Sequence, residues 1–243
     1  MEWQAWAGRM SEVLGLKRAP VAITYTDEVP ETAKRLKCRV CTALRLAAAG
    51  SVMVMTAENS ACPGGSRYLG LAEPAPEGAR ALRDFLINGE KLLSCPAAIH
   101  RSGALTKAQP PLGAADYVLF APLAQAPLAP DVVVFICNPA QGARLVHLAD
   151  HETGLPMECD PTGALCRSAI TYPLVTGQVN VTFGDITARR FEGFADDELF
   201  VTLPLAHLRS AAASLDRCSA GTAPVEIPPE FRRLLQEGEA AEG

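Results

Sequence analysis

Apolar and polar positions along the chain fall into six short runs rich in β-branched residues. These are Pro20–Tyr25 (PVAITY), Ser51–Thr56 (SVMVMT), Asp116–Phe120 (DYVLF), Asp131–Cys137 (DVVVFIC), Gln178–Phe183 (QVNVTF) and Glu198–Leu203 (ELFVTL), and each reads as a strand. Between them the spacing of apolar residues becomes helical, over Val40–Ala49, Glu77–Ile87, Pro139–Asp150, Leu165–Tyr172 and Leu205–Leu215, with a last short helix at Glu230–Leu235. The first 18 residues read as an amphipathic helix, and the EGEAAEG tail over 237–243 as frayed. This alternation predicts one layered domain over residues 1–243, of the α/β or α+β class, with a mixed sheet. The Pro-rich stretches near Pro110 and over Ala121–Pro130 read as loops within that domain.

A length of 243 residues gives one large domain or two small ones at roughly 150 residues each. With 49% hydrophobic and 20% charged residues, the chain has enough apolar side chains for a packed core. The net charge of -5 argues against a nucleic-acid partner, whose phosphates are met by Lys and Arg. Pro, Gly and charged residues interrupt every apolar stretch before it reaches the roughly 20 residues of a membrane span. The N-terminus lacks the basic start and apolar run of a secretion signal. A soluble, cytoplasmic protein is therefore expected, and in that reducing setting its eight cysteines point to metal binding, catalysis or core packing rather than disulfides.

Two segments share an order of features. VCTALRLAAAGSVMVMTAEN from Val40 and LCRSAITYPLVTGQVNVTFGD from Leu165 each run Cys, apolar helical turns, Gly, β-branched strand, polar turn. A degenerate duplication would put Cys41 and Cys166 at equivalent helix starts across a pseudo-twofold axis. The rival explanation is that helix-Gly-strand is a common connection.

Cys38 and Cys41 form a Cys-x-x-Cys pair, a spacing suited to one metal or a redox couple. No second such pair exists to close a four-cysteine zinc knuckle. Cys62 opens CPGG, where Pro63 and the permissive Gly64 and Gly65 are expected to form a tight cradle for an anion or cluster. Cys95 also precedes proline, a step that ends one iron-sulfur ligand run. At helix starts, the thiols of Cys41 and Cys166 are expected to be acidified by terminal N–H groups. Cys137 and Cys218 read as packing residues, and the bland alternative treats all eight cysteines that way. His147 and His151 share a helix face with Asp150 nearby, which suits either a metal site or a solvated helix. Phosphate-loop and serine-hydrolase signatures are missing. Asn180, Gly184, Asp185 and Arg189 form a polar turn fit for a ligand or simply for turning the chain.

CTALRLAAAG, TAENSACPGGSRYLGL and Cys166 ahead of NVTFGDITARR together resemble the family known as domain of unknown function 169, found in archaea and anaerobic bacteria. The likeness runs from about Pro20 to Leu215 and implies that Cys41, Cys62, Gly64, Gly65, Gly70, Cys166, Gly184 and Asp185 are family positions. It implies no reaction. The leading expectation is an iron-sulfur cluster, of the four-iron type, on Cys41, Cys62 and Cys166, with Cys95, Cys38 or an open iron as the fourth position. An open iron would act as a Lewis acid toward a sulfur- or oxygen-bearing small molecule, in the manner of a metal-dependent lyase or oxidoreductase. Gly64, Gly65, Arg67, Asn180 and Asp185 would surround that molecule. A non-catalytic metal or cofactor carrier, and a cluster-free enzyme with Cys62 as nucleophile, are the two rival functions. Homo-oligomer formation is left open.

Overall fold

The unbroken apolar run Val132–Cys137, strand β4, is covered on both faces. Val132, Val134 and Ile136 join one apolar core, while Val133, Phe135 and Cys137 join another on the opposite side. Side chains alternate across a strand, so one run of β-branched residues serves two cores. The computed structural model describes residues 1–105, 109–154 and 157–232 and builds those cores on the two faces of one six-stranded sheet.

The other strands are β1 (Val21–Thr26), β2 (Met53–Met55), β3 (Tyr117–Pro122), β5 (Asn180–Thr182) and β6 (Leu199–Pro204). Their order is β2-β3-β1-β4-β6-β5, and every pairing between them is antiparallel. All six expected strands form. The expected mixing of directions is confined to two single bridges outside the strands, Lys34 to Met53 and Cys38 to Ser60. Neighbouring strands reverse direction because the helices pack on the faces without linking parallel neighbours, which makes the class α+β.

One face carries α1 (Glu2–Leu14), α6 (Pro139–Asp150) and α9 (Leu205–Ser214). Helix α1 buries Ala7, Met10 and Leu14, spaced three and four residues apart as the amphipathic reading requires. The other face carries α2 (Val40–Ala48), α3 (Pro63–Tyr68), α7 (Tyr172–Thr176) and α8 (Ile186–Glu192). A π-helical segment, Cys166–Thr171, runs directly into α7. The predicted helix Glu77–Ile87 appears as α4 (Pro76–Asp84) followed by a π-helical turn, Phe85–Gly89, and α5 (Pro96–Leu105) comes next. Sequence patterning misses α3, α5 and α8. Residues 229–232 are helical, whereas the rest of the predicted Glu230–Leu235 helix and the 237–243 tail lie outside the described residues. Among the described residues no helix is long and apolar enough to cross a membrane.

The strand order is a palindrome. At its centre β1 and β4 run antiparallel, with Ala22 opposite Val133 and each strand's neighbouring residues paired reciprocally. Outward from that pair, β3 matches β6 and β2 matches β5. The chain connects each half in a like order: β1, α2, β2, α3, β3 in the first, with α4, a π-helical turn and α5 inserted between α3 and β3, and β4, the Cys166 helix with α7, β5, α8, β6 in the second, with α6 inserted on the far face. The helix contacts cross over reciprocally, since α2 packs on α8 and the Cys166 helix packs on α3. A pseudo-twofold axis normal to the sheet between β1 and β4 relates the halves, and it pairs α2 with the Cys166 helix.

Candidate thiol site at the pseudo-twofold axis

Two extended segments run side by side into adjacent helix starts. The amide of Cys38 donates to the Asn59 carbonyl (3.1 Å), and the amide of Ala61 donates to the Cys38 carbonyl (2.9 Å). Three residues beyond Cys38, Cys41 lies in the first turn of α2; Cys62 is the N-cap of α3, and its Sγ accepts the Gly65 N–H at 3.4 Å. Pro63 fits the first helical position, where its missing N–H costs nothing.

The expected cradle at CPGG is a helix instead. Neither Gly64 nor Gly65 has a positive φ. Gly65 serves close packing: a Cβ there would lie 2.7 Å from Cγ2 of Val40, the first residue of α2. A hydrogen side chain lets α3 close onto α2 and holds Cys62 near Cys41.

Cys166 enters from the other half, 6% exposed, at the start of the π-helical segment. Such segments recur at functional sites because their wider turn redirects side chains. Its position is set by Asp185, which follows the positive-φ turn at Gly184 (φ 69°). One carboxylate oxygen of Asp185 accepts the Ala188 N–H (2.6 Å) and caps α8, while the other accepts the Leu165 N–H (2.8 Å). Asp185 thus ties the helix start of Cys166 to that of α8.

The groups lie within electrostatic reach of one another. Burial above all pushes the Cys166 thiol well up, and Cys41, Cys62 and Asp185 add to this against one N–H bond from Arg167. Burial, then Asp185 and Cys62, push Cys41 up to about 12, with Arg39 opposing. The expected acidification at helix starts is therefore overturned, because lost hydration and like charges outweigh the terminal N–H groups.

Residues not singled out in the sequence frame this centre. The Tyr25 hydroxyl donates to the Leu69 carbonyl (3.1 Å), and Tyr25 and Tyr68 both sense Cys166. Glu192 of α8, its side chain 2% exposed, accepts from Arg39, Thr42 and Arg45 around α2. This clamp fixes the α2–α8 contact. In the sequence these partners lie about 150 residues apart, so no local signal marks the pairing.

Other candidates fall elsewhere. Cys38 is buried, and the charge acting on its thiol is that of Glu192. The Cys95 thiol sits at the start of α5 and is lowered by N–H groups of that helix, chiefly that of Ala98. Asn180 is fully buried, with its amide taken up by Asp160 N–H, Asp160 O and Ser168 O. The Arg67 side chain is half exposed beside Glu73. Arg189 is spent on the carbonyls of Phe183, Ala195 and Glu198. His147 and His151 are exposed along an open groove of about 690 Å³ that also contacts Asp150 and Cys218. A smaller cleft of about 380 Å³ borders the thiol site between Ser60, Pro63 and Ser66 and the facing Glu73, Pro74 and Glu77. All eight cysteines are free. Among the described residues, no three His, Cys, Asp or Glu side chains are drawn in to the spacing of ligands around one metal ion.

No solved structure matches the chain. It is 24% identical over 218 residues to the uncharacterized protein MJ0308 of Methanocaldococcus jannaschii, a match that covers 86% of this chain and 92% of that protein. The profile of the uncharacterised ArCR family, DUF169, matches residues 9–214, which include every strand of the sheet and all four groups at the axis, and the chain belongs to that family.

Proposed function

We propose that Cys41, Cys62 and Cys166 ligate an iron-sulfur cluster, with one iron available to a small molecule bearing a sulfur or oxygen donor. The observation that carries this reading is the approach of three thiols, remote in sequence, to one partly buried spot, where α3 packs on the Cys166 helix and the charge of Cys62 reaches Cys41 and both reach Cys166. Without a counter-charge that crowding opposes the thiolate form. A cationic centre reverses the balance, since each thiolate then gains an attractive partner and metal binding releases the protons. Three sulfur donors favour soft or thiophilic centres over hard cations such as magnesium or calcium.

A cytoplasmic setting accords with eight free thiols. A cleft lined by Ala61 and Pro63, the neighbours of Cys62 in the chain, offers a small molecule space beside the proposed site. Bound there, a donor atom on the open iron would be polarised without any change in oxidation state.

Anaerobic reconstitution with ferrous iron and sulfide tests the reading. Expected are stoichiometric iron and sulfide, a brown colour, and loss of both in Cys41→Ser, Cys62→Ser and Cys166→Ser with the fold retained by circular dichroism. Unchanged iron content in all three variants removes the proposal, as does failure of the parent protein to bind iron. Stoichiometric binding of a different metal in place of the cluster would replace it with a carrier function.

A further inference from the structure

We infer that Asp185 is the fourth ligand of this site, standing in the second half of the chain where Cys62 stands in the first. The assignment rests on the thiolate reading above and adds what that reading leaves open. Around the pseudo-twofold axis, Cys41 and Cys166 start the helices that follow the two central strands, apart from the inserted α6. Cys62 and Asp185 are the next pair: each follows an edge strand, β2 or β5, and each is an N-cap in extended backbone conformation. Their side chains do the same work, Cys62 Sγ accepting the N–H three residues ahead and Asp185 Oδ1 doing likewise. The reciprocal helix contacts carry both caps to the axis, α3 against the Cys166 helix and α8 against α2. Twofold placement therefore brings four helix-start residues, three cysteines and one aspartate, toward the axis, where the charge of Asp185 reaches both Cys41 and Cys166.

The rivals for the fourth corner lie off this arrangement. Cys38 sits on the extended segment bridged to Ser60, beside Glu192, and Cys95 is occupied with its own helix start. Asp185 keeps free lone pairs, because each carboxylate oxygen accepts one N–H bond. Ligating carboxylates are commonly held by such hydrogen bonds.

An oxygen corner among three sulfurs makes one iron the exchangeable one. When a sulfur- or oxygen-bearing molecule binds, its lone pair replaces that of Asp185 on the iron. The carboxylate retains its bonds to Leu165 and Ala188, and no electrons or protons are transferred.

The test compares the parent protein, Asp185→Cys and Asp185→Asn after anaerobic reconstitution with iron and sulfide. Cysteine caps a helix at the matching position, and asparagine keeps an acceptor for Ala188, so both variants are checked for folding without iron by circular dichroism. Under mild ferricyanide oxidation the parent should lose one iron and give the paramagnetic signal of a three-iron cluster. Asp185→Cys should slow that loss about tenfold, the scale on which groups at a metal alter its retention, and Asp185→Asn should speed it. Equal iron loss and identical spectra in all three overturn the ligand assignment while leaving the cluster reading intact. Absence of bound iron and sulfide in all three overturns both.

Discussion

Gly65→Ala should destabilise the protein although it places alanine, the better helix former, inside a helix. The added methyl would lie 2.7 Å from Val40 Cγ2, well inside contact distance. Val40 cannot turn away readily, because a β-branched side chain in a helix has one preferred rotamer and this one is 1% exposed. Overpacking of this kind costs about 1–3 kcal/mol, which exceeds the gain of up to about 1 kcal/mol from helix propensity. For a chain of this size about 2 kcal/mol corresponds to roughly 4–8 °C in Tm. Val40→Ala alone should cost about 2 kcal/mol through the cavity it leaves. In that background the new methyl has room, and Gly65→Ala should become neutral or stabilising. Urea unfolding of the parent, both single variants and the double variant measures the coupling, expected at about 2 kcal/mol in favour of the pair. Equal effects of Gly65→Ala in the two backgrounds would refute the close-packing account of CPGG.

Glu192→Ala removes the acceptor shared by Arg39, Thr42 and Arg45; both arginines are about one-third exposed and partly recover hydration, so the expected loss is about 2–3 kcal/mol, read by urea unfolding, and a change below about 0.5 kcal/mol would dismiss the clamp. Cys137, 2% exposed, is pushed up to about 12, mainly by burial and then by Glu198. Its folded value lies above its unfolded one, so its contribution is complete below about pH 9 and is lost toward pH 12, at up to about 1.4 kcal/mol per pH unit. Cys137→Ala should flatten the fall of stability between pH 9 and 10.5; an unchanged slope would contradict that burial effect.

The strands were legible because β-branched runs such as VVVFIC need no tertiary knowledge to be read. The helices missed have particular reasons. At α3, Gly64 and Gly65 argue against a helix by propensity, and only the approach of Val40 explains Gly65. At α8, seven residues are too few to establish a period, so GDITARR resembles a turn although Asp185 is a helix cap. The acidity expected for Cys41 and Cys166 failed because helix starts can be seen in a sequence and burial cannot. Glu192 went unnoticed because its partners are about 150 residues away.

The likeness of the two halves illustrates a limit of matching like with like. Comparing the two segments aligned Cys41 with Cys166, because identity and position agreed. It could not align Cys62 with Asp185, which are alike in role and not in chemistry, since both end an edge-strand turn and both cap a short helix with a side-chain acceptor. A twofold scaffold constrains where side chains meet while leaving their chemistry free to diverge. Under the proposal, four cysteine corners would give every iron of a cluster the same slow-exchanging donor. A carboxylate at the one corner where it also caps a helix would, on that proposal, give the site one distinguishable position. The asymmetry needed to bind one small molecule in one orientation would then come from the residue least like its partner.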